Sequence, residues 1–367
     1  MKKIGVLLPS SKAYPKLSKE FIAGLTLNLP KDFEIKVEGI GFGENKEVIK
    51  NAIQKLVYQE NISILTGILG HKDLDDICEF VSNLDEVMIF SNLGASTPLN
   101  LNKWSNIYCN SFQLNKSTYL LGNLFTEEKF EKIGISTCYN DAGYAFHRIL
   151  ETAFKKEEKL EFAGHFITPL YPRKNEAELM LSFIKEAKPD AIFCSHNGVF
   201  AQEHADFLRQ NKVTSKDIPM YMNPFSIDEK VLQKSPKIFD GVKCVSSWFP
   251  ELNNKENKSF TKNYLNKFDN KPSIFSLLGF ENSILIQDFL KDSLNSDINL
   301  KGPRGLLKFN RDTSRTDFDH YLWNLNYEND NYKISLEKKL NQDKKSDNHF
   351  FAMLPKVSGW SNAYLCH

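Results

Sequence analysis

The residues best suited to hold a small ligand lie in short loops that directly follow apolar runs. One such loop, residues 91–98 (SNLGASTP), follows an apolar run that ends at Phe90. Its small residues let the backbone N–H groups around Ala95 and the hydroxyls of Ser96 and Thr97 approach a carboxylate, and such a nest favours an anion. The same hydroxyls could instead cap a helix. The loop therefore indicates either a binding loop or an ordinary helix start.

A second loop, residues 67–71 (GILGH), follows the preceding apolar run in the same way. His71, next to Gly70, could contact a ligand or cap the following helix. Several aromatic residues also fall in loops at the ends of apolar runs, and aromatic walls with a few polar anchors are typical of a small-molecule pocket. The alternative for each of them is a place in the core. These residues are Tyr14, Tyr139, Tyr144, Phe200, Phe225, Trp248 and Phe249.

Motifs for catalysis or for cofactor binding are absent from the sequence. The glycine-rich residues 39–43 (GIGFG) follow the second apolar run, whereas a dinucleotide fingerprint follows the first strand and opens a helix. Cys194 and His196 could suggest a nucleophile and a base, but no third group to orient them is evident, and a buried Cys with a loop His is the simpler interpretation. HExxH, GxSxG and Walker A sequences do not occur. We expect neither an enzyme nor a cofactor.

The C-terminal residues 349–367 combine aromatic residues with a terminal Cys366-His367 pair, after a hydrophilic stretch, residues 341–348, that is interpreted as a linker. Two ligands fall short of the usual three or four of a metal site, so no metal is expected unless a partner or a dimer supplies the rest. The hypothesis for this tail is a docking or modification segment. The alternative is a tail that is packed on its own protein or is disordered.

Composition excludes several classes of protein. Lys plus Arg (47) and Asp plus Glu (46) nearly cancel, and no long basic block is present, so a nucleic acid partner is not expected. The six cysteines lack CxxC spacing and are interpreted as buried apolar residues. No run approaches the roughly 20 apolar residues of a membrane span, so no membrane insertion is expected. The N-terminal residues do not form a signal peptide, so the chain is cytoplasmic as written, or periplasmic if a signal has been removed.

The elements that must position these loops alternate between short apolar runs and amphipathic stretches. Strands are predicted near residues 4–8, 33–40, 63–66, 87–90, 133–137, 160–166 and 191–195, with helices between them. Two such series of alternating strands and helices predict an α/β protein with two Rossmann-like lobes, each with a parallel sheet. Ligands of open parallel sheets bind at the carboxyl ends of the strands. The loops described above are therefore the expected site.

The order of these motifs resembles the type I periplasmic-binding fold, specifically the branched-chain amino acid and amide binding family associated with ABC importers. The resemblance covers approximately residues 4–335 and rests on IGVLLPSSKAYP, LTGILGH, FSNLGASTP, KIGISTCYNDAGY, KPDAIFCSHNG, GVKCVSSWFP and GPRGLLKFNRDTSRTDF. It implies three crossings between the lobes, near Phe112, Trp248 and Phe309. Lobe 1 would comprise residues 1–112 and 249–306, lobe 2 residues 113–248 and 307–340, and residues 341–367 a linker and tail.

Carried over position by position, the resemblance implies that Ser96 and the backbone at Ala95 hold a carboxylate or amide. Gly70 and His71 would assist them, and Tyr14 would form the wall of lobe 1. From lobe 2 the ligand would be faced by Tyr144, Asn197, Phe200, Asn223 and Phe225. The sequence departs from the family where amino-acid binders place an acidic residue, because residues 222–226 read MNPFS, and Asp228 is a weak substitute. An ordinary α-amino acid is therefore not the expected ligand.

The leading hypothesis is a non-catalytic receptor that closes two lobes on an amino-acid-like, amide or other small polar or aromatic solute for an ABC-type uptake system. The partner would then be a permease. The alternative is a cytosolic sensor on the same fold that controls a regulatory protein, with the tail as its docking or modification segment. A homodimer is compatible with either role.

Overall fold

A computed structural model describes residues 2–155, 160–292, 300–310, 313–354 and 359–367. The strands in chain order are β1 Lys2–Leu8, β2 Phe33–Gly39, β3 Ile64–Ile68, β4 Met88–Asn92, β5 Ile107–Ser111, β6 Lys132–Cys138, β7 Glu161–Thr168, β8 Ala191–Ser195, β9 Met220–Met222, β10 Lys243–Ser246, β11 Leu300–Gly302, β12 Gly305–Leu307, β13 Phe309–Asn310, β14 Arg315–Thr316, β15 Tyr321–Glu328 and β16 Asn331–Lys339.

The helices in chain order are α1 Leu17–Asn28, α2 Lys46–Gln54, α3 Leu74–Asn83, α4 Leu114–Glu127, α5 Tyr139–Ala142, α6 Phe146–Phe154, α7 Glu176–Ala187, α8 Gly198–Asn211, α9 Glu229–Lys234, α10 Lys255–Phe268, α11 Ile274–Asp292 and α12 Lys344–Met353. A π-helical turn, Lys55–Gln59, extends α2, and a 3-10 turn, Pro224–Ile227, precedes α9. No helix within the described ranges has the length and apolar character needed to cross a membrane.

Two separate sheets form the cores of the two lobes, which confirms the predicted α/β fold. The sheet of lobe 1 has the strand order β13-β14-β5-β4-β3-β1-β2, and β1 to β5 pair in parallel. The sheet of lobe 2 has the order β16-β15-β10-β9-β8-β6-β7, in which β6 to β10 pair in parallel and β15 and β16 are antiparallel. Continuous apolar runs such as β1, buried from Ile4 to Leu8, produce these parallel strands because helices cover both faces.

The third crossing between the lobes lies further along the chain than the sequence suggested. Phe309, expected near that crossing, is in β13, which pairs with β14, and Arg315 of β14 pairs with Cys109 of β5. Strands β13 and β14 therefore belong to the sheet of lobe 1, and the chain enters lobe 2 between β14 and β15. The expected boundary at 306/307 is thus too early, because a two-residue strand leaves too short a pattern to be recognised in sequence.

The linker expected at residues 341–348 is also wrong, because α12 begins within it. Asp343 caps this helix by accepting hydrogen bonds from the N–H groups of Lys345 and Ser346. Phe350 stacks on Tyr119 of α4 with ring centroids 4.3 Å apart. The helix is therefore fixed to lobe 2 and carries the chain towards the space between the lobes.

A buried ion pair fixes the region where the chain passes between the lobes. Arg304 and Glu281 are fully buried, and Arg304 Nε lies 3.0 Å from Glu281 Oε2. The guanidinium also donates to the carbonyl of Ser111 at 2.9 Å and lies 3.7 Å from the ring centroid of Phe318. Ser111 ends β5 and Phe318 follows β14, so one side chain joins two of the crossings and sets where the facing loops meet.

Candidate functional site

The cleft between the lobes is formed by loops at the carboxyl ends of the parallel strands. Lobe 1 contributes the loops after β1, β2, β3 and β4, and lobe 2 those after β6, β8 and β9. These are the positions that the parallel sheets predict for a ligand. Most of the loops singled out in the sequence therefore meet in one place.

The two lobes contact each other directly across this cleft. The N–H of Gly198, at the start of α8, donates to the Tyr14 hydroxyl at 3.1 Å, and the N–H of Ala145 donates to the carbonyl of Ala95 at 2.9 Å. The Tyr14 ring also meets the Phe225 ring edge-on, with centroids 5.7 Å apart. The structure is therefore a closed form, in which expected site residues of opposite lobes are in contact.

The C-terminal segment, residues 359–367, lies inside the closed cleft. Ala363, Tyr364, Leu365 and Cys366 are each at most 5% exposed. On the side of lobe 1, the N–H of Ala363 donates to the carbonyl of Phe42 at 2.9 Å, and the N–H of Lys12 donates to the carbonyl of His367 at 3.0 Å. The tail is thus packed on its own protein, as one of the two alternatives for it proposed.

Lobe 2 holds the same segment through Trp360 and the backbone. The N–H of Trp360 donates to the carbonyl of Gly143 at 3.1 Å, and the Trp360 indole Nε1 donates to the carbonyl of Asn140 at 2.8 Å. The Tyr144 hydroxyl donates to the carbonyl of Asn362 at 3.4 Å. Both lobes therefore bind the tail, largely through main-chain groups.

Aromatic rings surround the side chain of Tyr364. Its ring centroid lies 4.9 Å from that of Tyr144, 5.3 Å from that of Phe146 and 5.9 Å from that of Phe225, with all three rings edge-to-face. Such edge-to-face pairs add to the gain from burying apolar area. His71 meets Tyr144 at 5.8 Å, and burial lowers its pKa. The enclosure is an aromatic pocket to which the predicted residues Tyr144 and Phe225 contribute.

A buried carboxyl group, that of Asp141, closes the far end of this pocket. It lies in α5, which begins directly after β6, and it interacts with the Tyr364 hydroxyl. Asn197 Nδ2 donates to Asp141 Oδ1 at 3.0 Å. Burial raises the pKa of Asp141 to about 6, although interactions with Tyr364 and Asn197 lower it in part. Within the described residues, Asp141 Oδ2 and the Tyr364 hydroxyl are both buried without a well-formed hydrogen bond. The pocket can therefore accept a hydrogen bond from a hydroxyl or an N–H group at its base.

A small cavity of about 40 Å³, with several polar groups among its mainly apolar lining, adjoins the tyrosine on the side of lobe 1. Within the described part of the chain, Thr97 Oγ1 and Arg315 Nε are buried without a hydrogen-bond partner. The volume exceeds what one water molecule requires. Polar atoms in this position are suited to an anionic group. The lining includes His71, Ser96, Thr97, Asn115, Arg315 and Tyr364.

The remaining expected site residues have mainly local roles. Asn223 Oδ1 accepts from the N–H of Phe225 and so caps the 3-10 turn, and Asp228 Oδ1 caps α9 by accepting from the N–H of Val231. Phe200 is buried in the first turn of α8. Gly70 lies against the tail, where a Cβ would come within 3.1 Å of Ala363. Ser96 uses its carbonyl to accept from Asn115 Nδ2 at 2.6 Å.

The Cys194 and His196 side chains, which could suggest a nucleophile and a base, lie in surroundings that make them less reactive. Cys194 and His196 are fully buried, and burial raises the pKa of the thiol and lowers that of the imidazole, so both are neutral near pH 7. His196 Nε2 lies 3.1 Å from Ser136 Oγ. Among the described residues, no group of three or more His, Cys, Asp or Glu side chains is arranged to hold a metal ion.

Asp141 and the tail residues that fill the cleft were missed as site residues. A signal for Asp141 existed, because Tyr139, Asn140 and Asp141 directly follow a buried strand, as the loop with Ser96 does. No comparable signal existed for Tyr364, because its partners lie more than 130 residues away along the chain.

Residues 31–294 match the family described as periplasmic binding protein. The chain belongs to this family, and the fold with two lobes and the cleft between them agree with that membership. No curated protein matches the sequence.

Solved structures of ABC transporter binding proteins share the fold. A solute binding protein from Rhodopseudomonas palustris, in complex with 3,4-dihydroxy benzoic acid, is 16% identical with a TM-score of 0.74, covering 94% of this chain and 99% of that one. A substrate-binding protein from Sphaerobacter thermophilus is 14% identical with a TM-score of 0.78, covering 98% and 99%. A leucine binding protein from Thermotoga maritima is 14% identical with a TM-score of 0.69, covering 94% and 99%.

Proposed function

We propose that this protein is a non-catalytic receptor that binds a small aromatic solute carrying a hydroxyl and a carboxylate, and presents it to the permease of an ABC-type uptake system. The observation that carries this proposal is the aromatic pocket in the closed cleft, with Asp141 at its base and, at its other side, a small cavity with Thr97 Oγ1 and Arg315 Nε, donors that are unpaired in the described part of the chain. Family membership supports the general role of solute binding.

Each part of the proposed solute corresponds to a part of the cleft. The ring would take the position of the Tyr364 ring, between Tyr144 and Phe225 of lobe 2. A hydroxyl on the ring would donate to Asp141 Oδ2, which is buried without a hydrogen-bond partner among the described residues. A carboxylate would lie in the cavity at Ser96, where Thr97 Oγ1 and Arg315 Nε offer donors.

The structural neighbours are consistent with such a solute. The Rhodopseudomonas palustris protein holds a dihydroxylated benzoic acid, whereas the Thermotoga maritima protein is described as a leucine binding protein. Asp141 would suit either a phenol or an ammonium group, so amino acids belong in the test. The uptake role implies a location outside the cytoplasmic membrane.

The test measures binding to protein that has folded intact and then lost its tail by specific proteolysis at a site inserted among residues 355–358. Calorimetry compares 4-hydroxybenzoate, 3,4-dihydroxybenzoate, benzoate, leucine and tyrosine. Because a hydrogen bond to a charged group contributes about 1.5 to 3 kcal/mol, we expect benzoate to bind at least about 10-fold more weakly than 4-hydroxybenzoate. Recovery of the solute unchanged would exclude catalysis.

The matched variants are Asp141→Asn and Tyr58→Ala. Asp141→Asn is expected to remove the preference for the hydroxylated acid, because an amide accepts a hydrogen bond less strongly than a carboxylate. Tyr58 is 67% exposed and lies in the π-helical turn after α2, outside the cleft loops, so its truncation should leave affinity unchanged. If no aromatic acid or amino acid binds the tail-free protein, the proposed function is refuted.

A second candidate function is favoured by the position of the tail. A cytosolic sensor could couple solute binding to release of residues 359–367, which would then dock on a regulatory protein. The sensor predicts that the solute increases partner binding only while the tail is attached. The receptor predicts stimulation of a permease with or without the tail.

A further inference from the structure

We propose that the cleft is a peptide-binding groove whose resident ligand is the chain's own segment, residues 359–367, with the sequence GWSNAYLCH. The inference rests on the proposed function, because it concerns the same cleft, and it names a second class of ligand together with the regulation of the site. A free ligand would be a peptide that buries a tyrosine within a turn, as the segment does where the N–H of Cys366 donates to the carbonyl of Ala363, or a smaller solute that replaces that tyrosine.

Main-chain recognition is the first argument for a peptide groove. The carbonyls of Asn362, Leu365 and His367 each accept from a donor of the cleft, and the N–H groups of Trp360 and Ala363 each donate to a cleft carbonyl. Lobe 2 holds the first part of the segment, at Trp360 and Asn362, and lobe 1 holds the rest. Recognition through the backbone, with pockets for single side chains, is a common way for proteins to bind peptides. These contacts run to Tyr144, Ser11, Lys12, Gly143 and Phe42, respectively.

The second argument is that two aromatic side chains of the segment occupy separate sites, one in a deep pocket and one at the surface. Tyr364 is 5% exposed inside the aromatic pocket, with its hydroxyl at Asp141. Trp360 packs against the ring of Tyr139, with centroids 5.0 Å apart, and donates through its indole to the carbonyl of Asn140. A tyrosine four residues after a tryptophan is therefore the pattern that the groove recognises.

The third argument is the shape of the cleft, which has glycines where the segment approaches most closely. A Cβ on Gly143 would lie 1.9 Å from Trp360 Nε1, and a Cβ on Gly43 or Gly70 would lie 3.1 Å from an atom of Ala363. Side chains at these positions would exclude the segment. The glycines of both lobes therefore leave the space that the segment requires.

Attachment makes the resident ligand a strong competitor. The segment follows α12, which is fixed to lobe 2 by Phe350 and by the ion pair of Lys116 with Asp347 at 3.4 Å. A short tether gives an effective concentration of about 1 mM, so for a segment with an intrinsic dissociation constant of about 10 µM, free ligands would bind the intact chain about 100-fold more weakly. Cutting the tether and removing the tail should therefore raise the affinity for free ligands by about 100-fold.

The first experiment uses the inserted protease site among residues 355–358, so that the protein folds with its tail and is cut afterwards. The probe is the synthetic peptide GWSNAYLCH, with a fluorophore at its N-terminus, and the control probe carries alanine at the position of Tyr364. We expect the cut protein, freed of its own tail, to bind the peptide at least about 10-fold more tightly than the control probe. The uncut protein should bind the peptide about 100-fold more weakly than the cut protein.

The outcomes separate this inference from the proposed function. If the cut protein binds aromatic acids but not the peptide, the peptide groove is refuted and the proposed function stands. If it binds the peptide but no aromatic acid or amino acid, the groove stands and the proposed function fails. Equal affinity of cut and uncut protein for the peptide would overturn the role of the tail as resident ligand.

The second experiment uses the full chain and a thiol reporter. Cys366 is fully buried with the tail in place, and the other five cysteines are buried in the lobes. Release of the segment should therefore expose one thiol per chain to a labelling reagent, and Cys366→Ser should remove that reactivity. Saturating aromatic acid, or free peptide with serine in place of its cysteine, should accelerate labelling of Cys366, because it competes for the cleft.

Gly143→Ala tests the same release without changing the tail. The new methyl group would overlap Trp360, whereas Gly39→Ala is the matched control, because a Cβ there has no atom within 4 Å. We expect at least about 10-fold faster labelling of Cys366 in Gly143→Ala, consistent with a typical cost of overpacking, and an unchanged rate in Gly39→Ala. Equal rates in both variants and in the unmodified chain would contradict the proposal.

Discussion

The substitution Tyr364→Ala offers the most direct measure of how strongly the tail is held. The ring of Tyr364 is buried among Tyr144, Phe146 and Phe225, and its hydroxyl meets the carboxyl group of Asp141. Truncation removes all of these contacts while leaving the loops of both lobes unchanged. The expected effect is a shift of the equilibrium between bound and released tail.

The magnitude follows from the burial of this ring. Truncation of a buried aromatic side chain typically costs about 3 to 5 kcal/mol, and even 3 kcal/mol corresponds to about a 100-fold change in an equilibrium constant. Tyr364→Phe keeps the ring and removes only the hydroxyl, which is buried beside Asp141 without a well-formed hydrogen bond to any described residue. The alanine variant should therefore release the tail more often than the phenylalanine variant.

The assay is the labelling rate of Cys366 under native conditions, because that rate follows the population of the released tail when opening is fast relative to labelling. We expect the rate to rise by about 100-fold in Tyr364→Ala. Tyr171→Ala, at a side chain that is 84% exposed, serves as the control. A rate in Tyr364→Ala equal to that of the unmodified chain would refute the assignment of Tyr364 as the anchor.

Three further predictions concern stability measured by urea unfolding. Burial raises the pKa of Asp141 from 3.8 to about 6, so its protonated form stabilises the fold at low pH. About 3 kcal/mol of the free energy of unfolding should be lost as pH rises through 6. Asp141→Asn should remove this part of the pH dependence. Arg304→Ala should cost about 3 to 5 kcal/mol, because it leaves the buried charge of Glu281 unpaired; a cost under 1 kcal/mol would contradict that. Phe350→Ala should cost about 3 kcal/mol by removing the stacking on Tyr119, and an unchanged midpoint would show that α12 is not held there.

The sequence predicted the features that depend on local patterns. Short apolar runs such as Ile4 to Leu8 identified the parallel strands, because strands covered on both faces contain little else. The rule that ligands lie at carboxyl ends of strands brought together His71, Ala95 and Tyr144, which the structure places around one cleft. The same rule, applied to the residues after β6, would have identified Asp141.

The features that escaped prediction depend on contacts between distant parts of the chain. Helix α12 has a polar N-terminal half, and only its packing of Phe350 on Tyr119 of α4 explains its formation. Strand β14 has two residues and exists because β5 offers an open edge. Tyr364 is anchored by residues of α5, α6 and the loop after β9, a set that no local pattern relates to the tail.

The direct contacts between the lobes have a consequence for signalling. The hydrogen bonds from Gly198 to Tyr14 and from Ala145 to Ala95 keep the two halves together around the chain's own tyrosine. A transporter or partner that recognises the closed arrangement of the lobes would not distinguish this form from the solute-bound form. Under the proposed function, solute binding would then be detectable from the position of the tail. The released C-terminal segment, rather than the angle between the lobes, would signal that a solute is bound.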